Sequence, residues 1–592
     1  MHLAFFRYKE LVMKQVFNPY LPLHEYIPDG EPHVFGDRVY IFGSHDREGG
    51  YTFCMDDYVV YSAPVDDLTD WRYEGVSYRA CQDPDYPKDH ASEAQDLAVD
   101  TGNQVDRDLQ KGQRADLTAV KKYMYAPDVV QGNDGRYYLY YCMGGDYGEG
   151  GYTGPISVAV SDRPEGKYQF LGHVRNKDGS TMMKYVCFDP AAMNDDGVIR
   201  IYYGTQYGFE DQSDYPDNPE YIASEMAMFG RSKEEILSYP DSIMGPVMLT
   251  LEDDMLTVKE EARHIIPCKV KGTSFEEHPF FEGSSMRKVG DKYYFIYSSW
   301  QNHELCYATS KYPDRDFSFG GTIVSNGDIG YEGRKDQDKL NMTGTTHGSI
   351  VKVKDQWYVF YHRLTHKSDY SRQSCAEKIY IEEDGSINQV EVTSCGLNKG
   401  PLLALNNTFP APICCNLTNG YMPHGSNTVF DMAFPNVTNL GDDRFVGEIE
   451  DGTLIGYKYF NLEGVSAIEI KCRYEDDNNK VKPSGPIRLD ERCFNDIKRI
   501  EEEKDRYGTD RLSWYDEDSS LDKPYFAIKT SIEGNEIGRV ILSEEKSSKL
   551  KEDSLVWKSF KGNLDCNGLT NTALYLVYHG KKRLQFKELS FL

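Results

Sequence analysis

The sequence has no long apolar run and little positive charge for its size. No segment approaches the roughly 20 consecutive apolar residues that a membrane-spanning helix needs. Its 66 Lys and Arg residues are outnumbered by 95 Asp and Glu residues, and the resulting net charge of −29 disfavours nucleic acid and anionic membranes as partners. A neutral ligand is therefore the expected partner.

Cysteine occurs without any disulfide pattern. The 13 cysteines are an odd number with no framework spacing and no CxxC pair, which indicates reduced thiols. The N-terminal stretch MHLAFFRYKELVMKQVFNPY contains only a short apolar run, and no small-residue cleavage site follows it. We therefore expect a soluble protein of the cytoplasm.

Five short segments of one design recur along the first two thirds of the chain. Each begins at a turn rich in Gly, Asp or Asn and continues as a strand of alternating aromatic and β-branched residues, which is typical of a hairpin arm. Their equivalent tyrosines, separated by 98, 64, 92 and 64 residues, are Tyr40, Tyr138, Tyr202, Tyr294 and Tyr358. A period of roughly sixty residues favours a five-bladed β-propeller, with an ordinary all-β domain of repeated hairpins as the alternative.

The length of 592 residues predicts at least two domains, because single cores stop growing at roughly 250–300 residues. We predict an all-β chain with an N-terminal extension at 1–16, a propeller at 17–400 that contains a polar insertion near 84–121, and a linker rich in Gly, Pro and Asn at 401–420. Short alternating strands over 421–592 predict a β-sandwich of the jelly-roll kind, interrupted by a charged insertion at 475–523.

Three acidic residues stand immediately before or at the start of repeat strands. Asp29 lies in YIPDGEP, Asp128 in YAPDVV and Glu282 in FFEGSSM. A single acid in such a place is usually a turn residue. A propeller brings the inner strand of each blade to a common channel. Three acids at equivalent positions relative to the repeat strands are therefore predicted to face one another.

The segments NPYLPLHEYIPDGEPHVFGDRVYIFGSHD, YAPDVV, FFEGSSM and TGTTHGSIVKVKDQWYVFYHR together resemble glycoside hydrolase family 43 over about residues 17–400. That resemblance implies a five-bladed propeller and an inverting hydrolase in which Asp29 is the general base, Glu282 the general acid and Asp128 the acid that tunes and orients the site. Inversion needs one carboxylate to activate water and one protonated carboxyl to donate to the leaving oxygen. Glu31 is a nearby competitor for the base.

The same resemblance suggests roles for residues around the three acids. His347, in GTTHGS, is expected to hold a water or a structural calcium ion near the channel centre, although the chemistry itself requires no cofactor. Arg363, in FYHRLTH, is expected to hydrogen-bond sugar hydroxyls through its forked donors. Asp189, in CFDPA, either contacts substrate or caps a turn.

The C-terminal segments IGYKYFNLEGVSAIEIKCRYE and GLTNTALYLVYHG resemble a family 6 carbohydrate-binding module. Its Tyr457, Tyr459 and Trp557 either stack on sugar or fill the core. The expected function is removal of terminal α-L-arabinofuranosyl or β-D-xylosyl units from neutral pentose-containing oligosaccharides. The alternatives are a non-catalytic sugar-binding propeller, an endo-arabinanase and another propeller glycosidase.

Overall fold

The computed structural model describes residues 14–50, 53–86, 123–144, 154–206, 218–425, 432–481, 491–515, 523–542 and 555–592. Five small antiparallel sheets are followed by two six-stranded sheets, so the chain is all-β as predicted. Within these ranges the α-helices are Pro219–Phe229, Lys233–Leu237 and Glu491–Tyr507. None of the described helices has the length and apolar character to cross a membrane. Most of the predicted extension and of the 84–121 insertion lies outside the described residues.

Each of the first five sheets is a meander whose strands pair in chain order. The first contains β1 (Glu31–Phe35), β2 (Arg38–Phe42), β3 (Tyr58–Pro64) and β4 (Arg72–Tyr78). The second contains β5 (Tyr123–Gln131), β6 (Tyr137–Gly144), β7 (Ile156–Ser161) and β8 (Gln169–His173). The third contains β9 (Ala191–Asp195), β10 (Val198–Tyr203), β11 (Val247–Leu251) and β12 (Val258–His264).

The fourth sheet contains β13 (Phe280–Val289), β14 (Lys292–Ser299), β15 (Glu304–Ser310) and β16 (Ser318–Ser325). The fifth has only three strands, β17 (Ser349–Val353), β18 (Gln356–Leu364) and β19 (Arg372–Ile379). All five repeat tyrosines lie in the second strand of their sheets, because each repeat motif spans the turn between the first strand and the second.

The first strands of the five sheets form a closed ring. β1 contacts β5 and β17, β9 contacts β5 and β13, and β13 also contacts β17. A parallel bridge between Gly30 and Gly348 joins the start of the first sheet to the start of the fifth. Residues just before these strands therefore converge on one end of the ring, although they are far apart in the sequence.

Neighbouring sheets pack through apolar cores in which tyrosine is prominent. Between the second and third sheets, Tyr140 and Val158 pack with Ile201 and Leu249, all of them buried. Burying one such side chain stabilises the fold by about 1.5–3 kcal/mol. The abundance of tyrosine thus reflects packing between sheets to a large extent.

The second region consists of two sheets around one core. The first sheet contains β20 (Leu402–Leu403), β22 (Asn416–Thr418), β25 (Leu454–Asn461), β27 (Tyr525–Lys529), β28 (Glu536–Ile541) and β30 (Thr572–His579). The other contains β21 (Thr408–Pro410), β23 (Asn436–Leu440), β24 (Asp443–Ile449), β26 (Ala467–Tyr474), β29 (Lys558–Asn563) and β31 (Leu584–Phe591).

The segment 401–420, predicted as a linker, is instead part of these sheets. It supplies β20, β21 and β22, which pair with β25 and β31. Its Gly, Pro and Asn residues lie in and between very short strands, so composition alone misread sheet structure as a connection. Two of the aromatic residues considered for sugar binding are structural: Tyr457 is fully buried, and Trp557 packs on the Arg473 guanidinium 4.0 Å from its ring.

The charged insertion also contacts the rest of the protein. Its helix, Glu491–Tyr507, buries Ile500 in a cluster with Met342 and Leu364 of the first region and with Tyr421 of the second. Lys504 forms a 2.6 Å ion pair with Glu450. The insertion is therefore packed on one face.

Candidate active site

Asp29 stands at the end of the ring, two residues before β1, and an arginine holds its carboxylate. Nη1 of Arg372 lies 3.0 and 3.1 Å from the two carboxylate oxygens, and the Ser44 hydroxyl donates to Oδ2 at 2.6 Å. The same guanidinium makes two 2.8 Å bonds to Asp46. Burial alone would raise the pKa of Asp29, but the charge of Arg372 holds that pKa well below its usual range. Asp29 is therefore ionised.

Glu282 lies in β13 where the pairing with β14 shifts register, and such bulges redirect side chains. Burial, followed by the negative charge of Asp29, raises the pKa of Glu282 to about 8 against the opposing effect of Arg372. Its protonated form therefore persists at neutral pH. A buried carboxyl that stays neutral beside one that stays ionised is the arrangement that acid–base chemistry requires.

Asp189 occupies the third sheet at the position that Asp29 has in the first, two residues before the opening strand. Both residues have positive φ, 59° at Asp29 and 46° at Asp189, a region that aspartate enters more readily than most side chains. The backbone N–H of Gly283, next to Glu282, donates to the Asp189 carboxylate. Burial and the charges of Glu282 and Asp29 raise the pKa of Asp189 well above its usual value. Asp189 is thus an electrostatic partner of Glu282.

Two buried histidines complete the cluster. Nδ1 of His362 accepts the Asp29 backbone N–H at 3.2 Å, and its Nε2 donates to the Thr345 carbonyl at 3.0 Å. Nδ1 of His347 lies 3.6 Å from Asp29 Oδ1 and 3.9 Å from Asp189 Oδ2, while burial lowers its pKa to about 4. A Cβ on Gly283 would lie 2.9 Å from the His347 ring, so only glycine fits there. Both imidazoles are neutral.

Asp128 is held in a different set of contacts from the other acids. Its Oδ1 lies 2.6 Å from His33 Nε2 and accepts the Val129 N–H at 2.7 Å, while Oδ2 accepts the Ala192 N–H at 2.8 Å. These bonds tie β5 to β1 and β9. Sequence reasoning gave Asp128 the tuning role, but the aspartate that interacts electrostatically with Glu282, besides Asp29, is Asp189. Asp128, in PDVV, and Asp189, in FDPA, both lie beside a proline and apolar residues, so the local pattern could not separate them.

Arg363 lies outside the cluster, contrary to the prediction. Its guanidinium donates to the carbonyls of Cys414 at 2.7 Å and Cys415 at 3.0 Å, and it is buried at the junction with the second region. Side chains alternate across a strand, so His362 faces Asp29 while Arg363 faces away.

The cluster also contains residues that sequence reasoning missed. Arg372 begins β19 opposite Leu364 and so shares a face with His362. A sequence-based pairing of β18 with the next strand could have identified Arg372. The polar loop between the two strands gives no indication of their register. Glu31, weighed as a competing base, bonds Arg287 at 2.6 Å and Ser285 at 3.1 Å inside the ring.

One ionised and one protonated buried carboxyl in the same cluster are what glycoside hydrolysis by a carboxyl pair requires. Residues 36–387 match the family described as glycosyl hydrolases family 43. The chain belongs to this family. Within the cluster, Asp29 lies shortly before the matched range, and Glu282, Asp189, His347, His362 and Arg372 lie inside it.

Individual relatives align with a larger part of the chain than the family match does. A xylosidase/arabinosidase from Thermoclostridium stercorarium is 41% identical over 475 residues, covering 78% of this chain and 86% of the relative. Xylosidase/arabinosidase 43A from Humicola insolens is 30% identical over 377 residues, or 61% and 96% of the two chains. A family 43 enzyme from Xanthomonas citri, solved with xylose, covers 64% of this chain and 94% of its own at 24% identity and a TM-score of 0.43.

Proposed function

We propose that this protein is an inverting exo-glycosidase that removes terminal α-L-arabinofuranosyl or β-D-xylosyl residues from arabinoxylan-type oligosaccharides. The observation that carries the proposal is the opposite protonation of Asp29 and Glu282 in one buried cluster. The name and the 41% identity of the Thermoclostridium relative support the pentose substrates. A cytoplasmic location stays a prediction.

In this mechanism Asp29 takes a proton from a water molecule as the water oxygen bonds to the anomeric carbon. Glu282 simultaneously gives its proton to the oxygen of the breaking glycosidic bond, so the leaving sugar departs as a neutral alcohol. Arg372 and the Ser44 hydroxyl hold the base in place. We assign to Asp189 the tuning role that the sequence suggested for Asp128, because the carboxyls of Asp189 and Glu282 oppose each other's ionisation.

The architecture supports a finer description of the fold. We propose that the five sheets are the blades of a five-bladed propeller and that the closed ring of first strands lines its channel. The two six-stranded sheets around one core support a β-sandwich for the second region. A relationship to family 6 carbohydrate-binding modules stays a proposal.

Calcium beside His347 also stays a prediction, and the described donors fit it poorly. Calcium takes six to eight oxygen ligands, roughly 2.3–2.6 Å away. Near His347 the described groups offer one nitrogen and the carboxylates of Asp29 and Asp189, of which Asp29 already binds Arg372. The mechanism therefore uses no ion.

Product stereochemistry tests the proposed function most directly. We expect the wild type to hydrolyse p-nitrophenyl α-L-arabinofuranoside or β-D-xyloside and to release a sugar of inverted anomeric configuration. NMR spectra recorded immediately after mixing measure the configuration of the released sugar. Release with retained configuration would point to a covalent nucleophile, which requires a closer carboxyl pair. Inactivity on both glycosides and on arabinan would favour the binding-protein alternative.

The pH profile tests the assignment of Asp189. Because the reaction needs ionised Asp29 and protonated Glu282, kcat/KM should fall as the pH rises through about 8, the pKa of Glu282. Asp189→Asn removes the carboxyl that opposes the ionisation of Glu282 and should therefore move this limb to lower pH. Asp128→Asn is the matched control and should leave the limb in place. An unchanged limb in Asp189→Asn would contradict the assignment.

Arg363 should matter for stability rather than for substrate binding. Arg363→Gln removes hydrogen bonds from a buried charge to two carbonyls, and each such bond is worth roughly 1.5–3 kcal/mol. We expect the free energy of unfolding in urea to fall by about 2 kcal/mol while the KM for the nitrophenyl glycosides stays unchanged. A rise in KM without loss of stability would restore the sugar-binding role.

A further inference from the structure

A groove of about 980 Å³ lies at the junction of the two regions, apart from the catalytic cluster. One wall belongs to the connection between β16 and β17, around Tyr331. The other belongs to the sheet of the second region, where Tyr459 and Tyr575 lie on β25 and β30, together with Trp514. No residue of the catalytic cluster lines the groove.

The groove combines aromatic rings with hydroxyl groups that are not hydrogen-bonded. Four rings line it: Tyr331, Tyr459, Trp514 and Tyr575. Among the described residues, the hydroxyls of Tyr331 and Tyr575 take part in no hydrogen bond, and the buried Nε of Arg334 has no acceptor. A flat apolar face with polar groups at its edge suits the ring and hydroxyls of a sugar.

The charges along the groove are largely neutralised within the protein. Lys458 lies 2.8 Å from Glu391 and 3.4 Å from Asp328, and Arg511 lies 2.6 Å from Glu503. Tyr459 donates to Glu391 as well. Acidic residues outnumber basic ones along the lining, in keeping with the acidic chain. Lys339 is likewise paired, with Asp336, so Arg334 is the one lining cation among the described residues without an ion pair, and the acidic excess favours a neutral polyhydroxylated chain over an anionic ligand.

The groove shares a connection with the catalytic cluster. The segment between β16 and β17 carries the groove wall near its start, from Asp328 to Lys339, and His347 near its end. Both sites therefore belong to the same end of the ring. A polysaccharide held in the groove would stay close to the residues that cleave its terminal units.

We propose that this groove is an accessory binding site for a neutral arabinoxylan chain. The site needs both regions, because Tyr331 comes from one and Tyr459, Trp514 and Tyr575 from the other. The choice of arabinoxylan as the ligand rests on the proposed function. The inference that the groove binds a sugar chain rests instead on its aromatic and polar lining.

Affinity electrophoresis in gels containing wheat arabinoxylan tests the proposal with the full-length Glu282→Gln protein, which should leave the polymer uncut. In this background, Tyr331→Ala should weaken binding about tenfold by removing a stacking face. Tyr575→Phe removes only a hydroxyl and should weaken binding about threefold to tenfold. Tyr380→Ala, which removes a side chain that is 66% exposed and outside the groove, is the matched control.

The outcomes separate the groove from the catalytic function. Equal binding by the parent, Tyr331→Ala and Tyr575→Phe, or no binding by the parent, would overturn the accessory site. Introduced alone into the wild type, Tyr331→Ala should raise the KM for arabinoxylan and leave nitrophenyl glycoside hydrolysis unchanged. If the wild type hydrolyses none of these substrates, the proposed function fails, and the electrophoresis still decides whether the groove binds the chain.

Discussion

Glu282→Gln should lower kcat on arabinoxylan oligosaccharides by about 10³-fold, because a positioned general acid contributes roughly 10²–10⁴-fold. Glutamine keeps the shape of the side chain but cannot donate a proton to the leaving sugar. The loss should be much smaller on p-nitrophenyl glycosides, whose leaving group departs without protonation. Steady-state kinetics on both substrates measure this difference.

The control for Glu282→Gln is Glu276→Gln, which alters an exposed carboxyl of the turn before β13 and should leave both rates unchanged. Equal losses on the oligosaccharide and on the nitrophenyl glycoside would mean that Glu282 does not protonate the leaving group. Undiminished activity on both would remove it from the mechanism and support the non-catalytic alternative for this site.

Arg372→Met should be among the most destabilising single changes in the ring of sheets. The guanidinium lies between Asp29 and Asp46, and all three side chains are buried. Removing one member of a buried ion pair costs about 3–5 kcal/mol, because the remaining charge loses its partner. We expect a loss of that size in the urea unfolding of the ring, together with loss of activity as the pKa of Asp29 rises.

A second variant separates charge from geometry at this position, and a third provides a surface control. Arg372→Lys keeps a positive charge but cannot bridge both carboxylates, so its stability should lie between those of the wild type and Arg372→Met. Arg72→Met is the surface control: its 2.6 Å pair with Glu74 is solvent-exposed and should be worth only about 0–1 kcal/mol. Wild-type stability in Arg372→Met would show that the buried carboxylates are neutral.

The sequence predicts where the strands lie better than it predicts which side chains of a strand face the cluster. Repeated turn-and-strand segments led to the all-β fold, and each repeat tyrosine lies in a second strand. Strand register was not visible in the same way. The resemblance selected Arg363 on β18, whereas His362 faces the cluster, because neighbouring side chains point to opposite faces.

The choice among aspartates failed for a different reason. Asp128 and Asp189 have similar local sequences, but a register shift between Tyr125 and Asp128 places Asp128 against His33. Contacts between sheets decide which carboxyl meets Glu282, and no local pattern records them. Arg372 was missed on the same grounds, since its partners Asp29 and Asp46 lie more than 320 residues earlier in the chain.

The bridge between Gly30 and Gly348 makes the position of Asp29, the proposed base, depend on the first and fifth sheets together. Asp29 comes from the first sheet, whereas Arg372 and His362 come from the fifth. Contacts between such distant parts of a chain form late, because the loop between them must first be closed. A chain growing on the ribosome would therefore become active only after the fifth sheet has emerged and packed against the first. Hydrolytic activity would then be a measure of completely folded protein.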